Sequence, residues 1–113
     1  GVLRSGDFAD SRLKARRLGG FRFCLVASAD YFSRRGRPQQ PAELSEHECL
    51  LYRFSGSGQL QPWQFDGVDV RQLPLQGSLV FNNLEAQISA AQRGLGLIYV
   101  PDFAVQEYLD SGG

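Results

Sequence analysis

Apolar and polar positions alternate with two different periods along the chain. Phe21 to Ala27 (FRFCLVA) begins with partial alternation and becomes continuously apolar at Phe23-Cys24-Leu25-Val26. That pattern predicts a strand covered on both faces. Cys49 to Phe54 (CLLYRF) and Leu97 to Val100 (LIYV) predict two further buried strands. Weaker strand patterns lie at Val2–Ser5, Lys14–Leu18 and Leu75–Phe81. Pro62–Phe65 and Val68–Leu73 flank Asp66-Gly67, a strong hairpin signal, with Trp63 and Phe65 on one face. The helical period appears at Leu84, Ile88, Ala91 and Leu95, predicting a core-facing stripe. Ala86 and Ala90 form a second, small-residue face on that helix. Shorter helices are expected at Ala29–Arg35 and Phe103–Leu109.

Turn and cap residues set the boundaries of these elements. Ser28 is placed to N-cap the helix from Ala29, and Gly36 to end it. Pro41 opens a single helical turn. Asn82 is the expected cap of the second helix, with Glu85 three residues on as in a capping box. Gly94 is the expected left-handed stop, and Gly96 allows close approach before the strand at Leu97. Strands that alternate with helices predict an α/β fold, a mixed sheet flanked by helices, with the hairpin as its antiparallel edge.

Composition narrows the function. The 113 residues suffice for one domain, and 42% hydrophobic content is ordinary for a globular chain. Acidic and basic residues balance at 12 each, which argues against a free-standing nucleic-acid binder. No apolar run reaches membrane-span length, and there is no signal-peptide pattern. The chain has no Met and starts at Gly1 as if a strand were under way, so it reads as a piece of a longer protein. Cys24 and Cys49 read as buried, reduced thiols. His47, the sole histidine, reads as a surface-loop residue between Glu46 and Glu48. Arg34, Arg35 and Arg37 read as a solvated cluster complementing a helix C-terminus.

No catalytic set, metal-ligand spacing, phosphate loop or nucleophile elbow is present, and no cofactor is expected. Binding remains. Ligands of open α/β sheets sit outside the carboxyl ends of strands. Three such ends are candidates: Ala27-Ser28, Phe81-Asn82-Asn83 and Val100-Pro101-Asp102. Side by side, they would offer free N–H groups to an anion. Capping alone also accounts for Ser28, Asn82 and Asp102.

Several stretches in joint order resemble one family. They are LRSGDFADS at Leu3–Ser11, ARRLGGFRFCLVASADYF at Ala15–Phe32, GRPQQPAELSEHECLLYRF at Gly36–Phe54, and NNLEAQISAAQRGLGLIYVPD at Asn82–Asp102. The chain is similar to the effector-binding region of bacterial LysR-type transcriptional regulators. Departures are Ala29 for a common proline, Glu43 for a common aspartate, and Ser5 for a common apolar residue. The resemblance implies a fold like that of periplasmic binding proteins, with two α/β subdomains around a ligand cleft. It makes residues 1–113 a single partial domain, the second subdomain, entered by a hinge near Val2–Ser5 and left near Pro101. A DNA-binding helix-turn-helix would precede it in the full protein.

The implied role is non-enzymatic: sensing a small effector, such as an organic acid, in a cytoplasmic regulator that forms dimers or tetramers. The implied effector contacts are Arg4 or Ser5, Ser28, Asn82, Asn83, Leu84, Tyr99, Val100 and Pro101. The implied dimer contacts are Ala86, Ala90 and Arg93. A transporter's solute-binding protein shares the fold and is the main alternative. An α/β enzyme and a purely structural dimerisation module are the others.

Overall fold

The computed structural model describes residues 3–5, 17–18, 21–63, 65 and 79–108. Nearly all of the expected hairpin around Asp66-Gly67 lies outside these residues. The elements in order are β1 (Leu3–Ser5), β2 (Arg17–Leu18), β3 (Phe21–Ser28), α1 (Ala29–Arg35), a 3-10 helix (Pro41–Glu46), β4 (Leu51–Tyr52), β5 (Val80–Phe81), α2 (Leu84–Gln92), β6 (Ile98–Pro101), α3 (Asp102–Val105) and a final 3-10 turn (Gln106–Tyr108).

β3 is the hub. It pairs antiparallel with β2 at its start, with β6 along its middle and with β1 at its end. β4 and β5 pair in parallel. The bridge between Cys49 and Leu97 joins that pair to the entrance of β6, also in parallel. The sheet is therefore mixed, as expected. Its antiparallel component within the described residues is β3 itself, which runs against β1 and β6.

Alternation divides the side chains of β3 and β6 between two cores. Leu25 and Ala27 join Leu97 and Tyr99 beneath α1, with Tyr31, Phe32, Leu44, Trp63 and Phe65. Cys24 and Val26 join Ile98 and Val100 beneath α2 and α3, with Ile88, Ala90, Ala91 and Val105. Cross-strand partners fall on matching faces, Leu25 opposite Tyr99 and Val26 opposite Ile98. This explains the apolar run in β3, since both faces are covered. Each such burial stabilises by about 1.5–3 kcal/mol. Trp63 and Phe65 share a core, as the pattern predicted. Both cysteines are buried thiols.

α2 departs from the expected stripe in two places. Leu95 is 46% exposed, because the chain turns left-handed at Gly94 (φ +79°) and leaves the helical period. Gln87 is buried instead. The bridge between the segment before β4 and the entrance of β6 ends where Leu50 N donates to Leu97 O. The next carbonyl, Leu50 O, accepts from Gln87 Nε2 at 2.9 Å. A buried carbonyl left open where two strands diverge is thus satisfied by a polar side chain from the helix above.

Gly96 has no room for a side chain. A Cβ there would stand 2.5 Å from Glu48 O and 3.1 Å from Leu50 Cγ. Glu48 O accepts from Leu97 N, so the obstacle is the ladder itself. Replacing Gly96 with Ala should cost about 1–3 kcal/mol by overpacking. Replacing Gly56, where an added Cβ meets nothing within 4 Å, should change stability by less than about 0.5 kcal/mol. Urea unfolding of the two variants checks this; equal midpoints would contradict it.

Candidate functional site

Direction along the sheet decides which candidate residues are neighbours. β4, β5 and the entrance of β6 run in parallel, so the carboxyl ends of β5 (Phe81) and β6 (Pro101) point the same way. β3 runs against β6, pairing Phe23 with Pro101 and Val26 with Ile98. Its carboxyl end, Ser28, is therefore level with the start of β6. The offset from Ser28 to the level of Pro101 is five residues, roughly 17 Å of strand.

α2 gives the same separation independently. Asn83 caps its start, while its far end turns at Gly94. Eleven residues of helical rise is about 16 Å. Ser28 sits at the Gly94 pole, where its Oγ is 3.4 Å from a Cβ built on that glycine. Arg34 Nη2 donates to Gly94 O at 2.8 Å and closes the same corner. The expectation that all three strand ends lie side by side is corrected. The carboxyl ends of β5 and β6 share one end of the sheet, and Ser28 belongs to the other.

At the β5–β6 end, α2 presents its N-terminus. The cap is Asn83 rather than Asn82: Asn83 is extended (φ −139°, ψ 123°), and its Oδ1 accepts from Ala86 N at 3.1 Å. Asn82 is exposed and precedes the cap. Glu85 is consequently the second helical residue, where its charge favours the positive end of the helix dipole. Leu84 and Pro101 are half-buried. Asp102 lies in the first turn of α3. Val100 is buried beneath α2, and Tyr99 is buried on the opposite face. Tyr99 stacks on Phe23 at 4.9 Å and on Trp63 at 5.7 Å, and meets Phe65 edge-on. Its ring therefore supports this end of the sheet from within.

The remaining candidates divide as follows. Arg4 is half-buried and pairs with Ala27, nearer the Ser28 end; Ser5 pairs with Val26. Ser28 caps α1, accepting from Tyr31 N at 2.9 Å, and is 2% exposed. Ala86 and Arg93 are exposed on α2. Ala90 is buried against the sheet with Ile98 and Val100, so it does not share a free face with Ala86. Its position one turn beyond Ala86 concealed this, because the buried face of α2 is wide enough to take in Gln87, Ile88, Ala90 and Ala91 together.

His47 is buried, not a surface-loop residue. The arginines are exposed, as the solvated-cluster reading expected, and they also act as tethers. Arg34 holds Gly94 O, Arg35 donates to Glu46 O, and Arg37 lies 4.7 Å over the Phe32 ring. Among the described residues, no group of three or more His, Cys, Asp or Glu is arranged to hold a metal. No described helix is long and apolar enough to cross a membrane.

This geometry is an α/β fold with strand ends and a helix N-terminus at one edge and two cores below. The chain matches the LysR substrate binding domain over residues 1–113 and belongs to that family. It is 34% identical over 113 residues to the HTH-type transcriptional regulator CrgA of Neisseria meningitidis serogroup B, covering 98% of this chain and 36% of CrgA. It is 33% identical over 100 residues to the HTH-type transcriptional activator AaeR of Escherichia coli K12, covering 88% of this chain and 32% of AaeR. The chain thus spans about a third of the length of these relatives.

Among solved structures, the CrgA regulatory domain superposes with a TM-score of 0.62 at 33% identity, covering 93% of this chain and 50% of that domain. The regulatory domain of AphB from Vibrio vulnificus gives 0.58 at 26% identity, covering 94% and 52%. The fold is that of LysR regulatory domains, as the resemblance implied. These relatives are transcription regulators, which favours a sensing domain over a transporter's solute-binding protein.

Asn82 and Asn83 separate cleanly by experiment. Asn83→Ala should lower stability by about 1 kcal/mol through loss of the cap. Asn82→Ala should change it by less than about 0.5 kcal/mol. Chemical denaturation of both variants measures the difference, and a larger loss for Asn82→Ala would return the cap to that residue.

Proposed function

We propose that this chain is the second subdomain of the effector-binding region of a bacterial LysR-type DNA-binding transcription regulator. The one observation that carries the reading is the convergence of the β5 and β6 carboxyl ends on the N-terminus of α2, within a chain of that family. The role is non-enzymatic and cytoplasmic. The chain's coverage of half the CrgA regulatory domain supports a second α/β half completing the cleft. β1 and Pro101 are then the hinge passages between halves.

The effector contacts are Asn82, Asn83 and Leu84 at the start of α2, with Val100 and Pro101 beside them. The unpaired N–H groups of the first helical turn suit a carboxylate, hence a small organic acid. β1, which carries Arg4 and Ser5, lies toward the Ser28 end of β3, away from these contacts. Ser28 and Tyr99 act at a distance from the ligand, as cap and as internal support. The ligand shifts the regulator's conformational equilibrium by its differential affinity for open and closed states. DNA is bound through a separate helix-turn-helix. Dimers or tetramers form through the effector regions, with the exposed Ala86 and Arg93 side of α2 as the contact.

The test uses the complete two-subdomain region. A panel of small carboxylic acids is screened for a rise in Tm, and the best binder is then titrated by calorimetry. Asn82→Ala should weaken its binding at least tenfold, while Ser28→Ala should leave the Kd within about twofold. Equal losses in both variants would refute the assignment of the ligand to the β5–β6 end. A panel without any Tm rise would instead favour a structural or dimerisation module.

A further inference from the structure

The 3-10 helix and the segment after it are fastened to α1 by a buried polar contact. His47 is 8% exposed and Tyr31 is 2% exposed. Tyr31 Oη lies 2.7 Å from His47 Nδ1. The same oxygen accepts from Glu48 N at 3.3 Å. With a lone pair engaged by that N–H, the phenol has its proton free for Nδ1. With the phenol as donor, Nδ1 is the acceptor and the imidazole proton sits on Nε2, the pairing open to a buried neutral histidine. The contact therefore suits neutral histidine. An imidazolium has no acceptor nitrogen, and the phenol proton would lose its partner.

Charges surround this pair on every side. From α1, the guanidinium groups of Arg34 and Arg35 lie 5.9 and 6.0 Å from the centre of the Tyr31 ring. Arg35 also donates to Glu46 O, so its charge is held beside the histidine. From the 3-10 helix come Glu43 and Glu46, which favour the charged imidazole. Glu48 follows in the chain, and the buried Cys49 thiol lies beyond it. Burial lowers the His47 pKa below its ordinary 6.5, and Arg35 lowers it further against the two glutamates. Burial raises the Tyr31 pKa, so the phenol stays protonated at neutral pH.

We propose that the Tyr31–His47 contact is a pH-sensitive latch, in which protonation of His47 in mild acid breaks the contact and frees residues 46–48 from α1. The released segment matters because Glu48 O receives Leu97 N and abuts Gly96, the entrance to β6. The latch thus sets how firmly the segment leading into β4 is seated at the entrance to β6. A depressed histidine pKa means that the unfolded chain takes up the proton first. The stabilisation is complete above pH 6.5, declines as pH falls below that value, and is fully lost below the folded-state pKa.

His47 is the sole histidine, so its ring Cε1–H resonance can be followed by NMR in the unlabelled or labelled chain without assignment ambiguity. The chain should titrate with a midpoint below 6.5. Over the same pH range, exchange of the Glu48 amide, corrected for its intrinsic rate, should accelerate at least tenfold. Tyr31→Phe should raise the midpoint. His47→Gln, which keeps an acceptor but cannot titrate here, should retain slow Glu48 exchange at both pH 7 and pH 5, and its Tm should fall less over that interval than the parent's. A midpoint at or above 6.5, or Glu48 exchange in the parent that does not follow the histidine titration, would overturn the latch.

Discussion

The antiparallel pairing of β3 with β6 is the constraint on which the other contacts rest. These strands supply residues to both cores, and their register decides what lies above and below the sheet. A one-residue slip would exchange Leu25 with Val26, and so turn the α1 core toward α2. The slip is opposed at several points. The aromatic stack of Tyr99 on Phe23 and Trp63 pins one end. The Glu48–Leu97–Leu50 ladder pins the entrance of β6, and Gly96 lets the two backbones close there.

Much of the fold was legible in the residue pattern because its signals are local. Ser28, Gly36 and Gly94 mark helix boundaries through their own backbone and side-chain chemistry, and the structure uses each as read. The continuous apolar run of β3 correctly signified a strand covered on both faces. The errors came where chain direction and tertiary packing decide the outcome. Strand ends that look equivalent in sequence, Ser28 and Asn82, fall at opposite poles because β3 is reversed relative to β6. Periodicity has no sign for direction. Leu95 looked like a core residue because the helical period was carried past a glycine that ends the helix. Asn82 and Asn83 are both good caps, and only the backbone conformation separates them.

His47 and Gln87 show a different limit. Both are polar residues that a hydropathy pattern assigns to the surface, and both are buried. Each is stabilised inside by one partner distant in sequence, Tyr31 for His47 and Leu50 O for Gln87. Burial of a polar group depends on whether a partner is waiting. That partner is set by the assembled fold and leaves no trace in the neighbouring residues. The arginines of α1 remain exposed, yet their carbonyl partners at Gly94 and Glu46 also come from other elements.

α2 has its recognition candidates at one pole, a packed corner of Ser28, Arg34 and Gly94 at the other, and an outer flank free of the core. Changes at one pole leave the remaining two regions about three helical turns or a helix diameter away. With the proposed roles at these places, descendants of such a chain could drift to new chemical inputs while keeping the same assembly, or exchange assembly partners while keeping the same input. Under the proposed roles, a helix anchored in this way would make ligand choice and subunit choice separately inheritable.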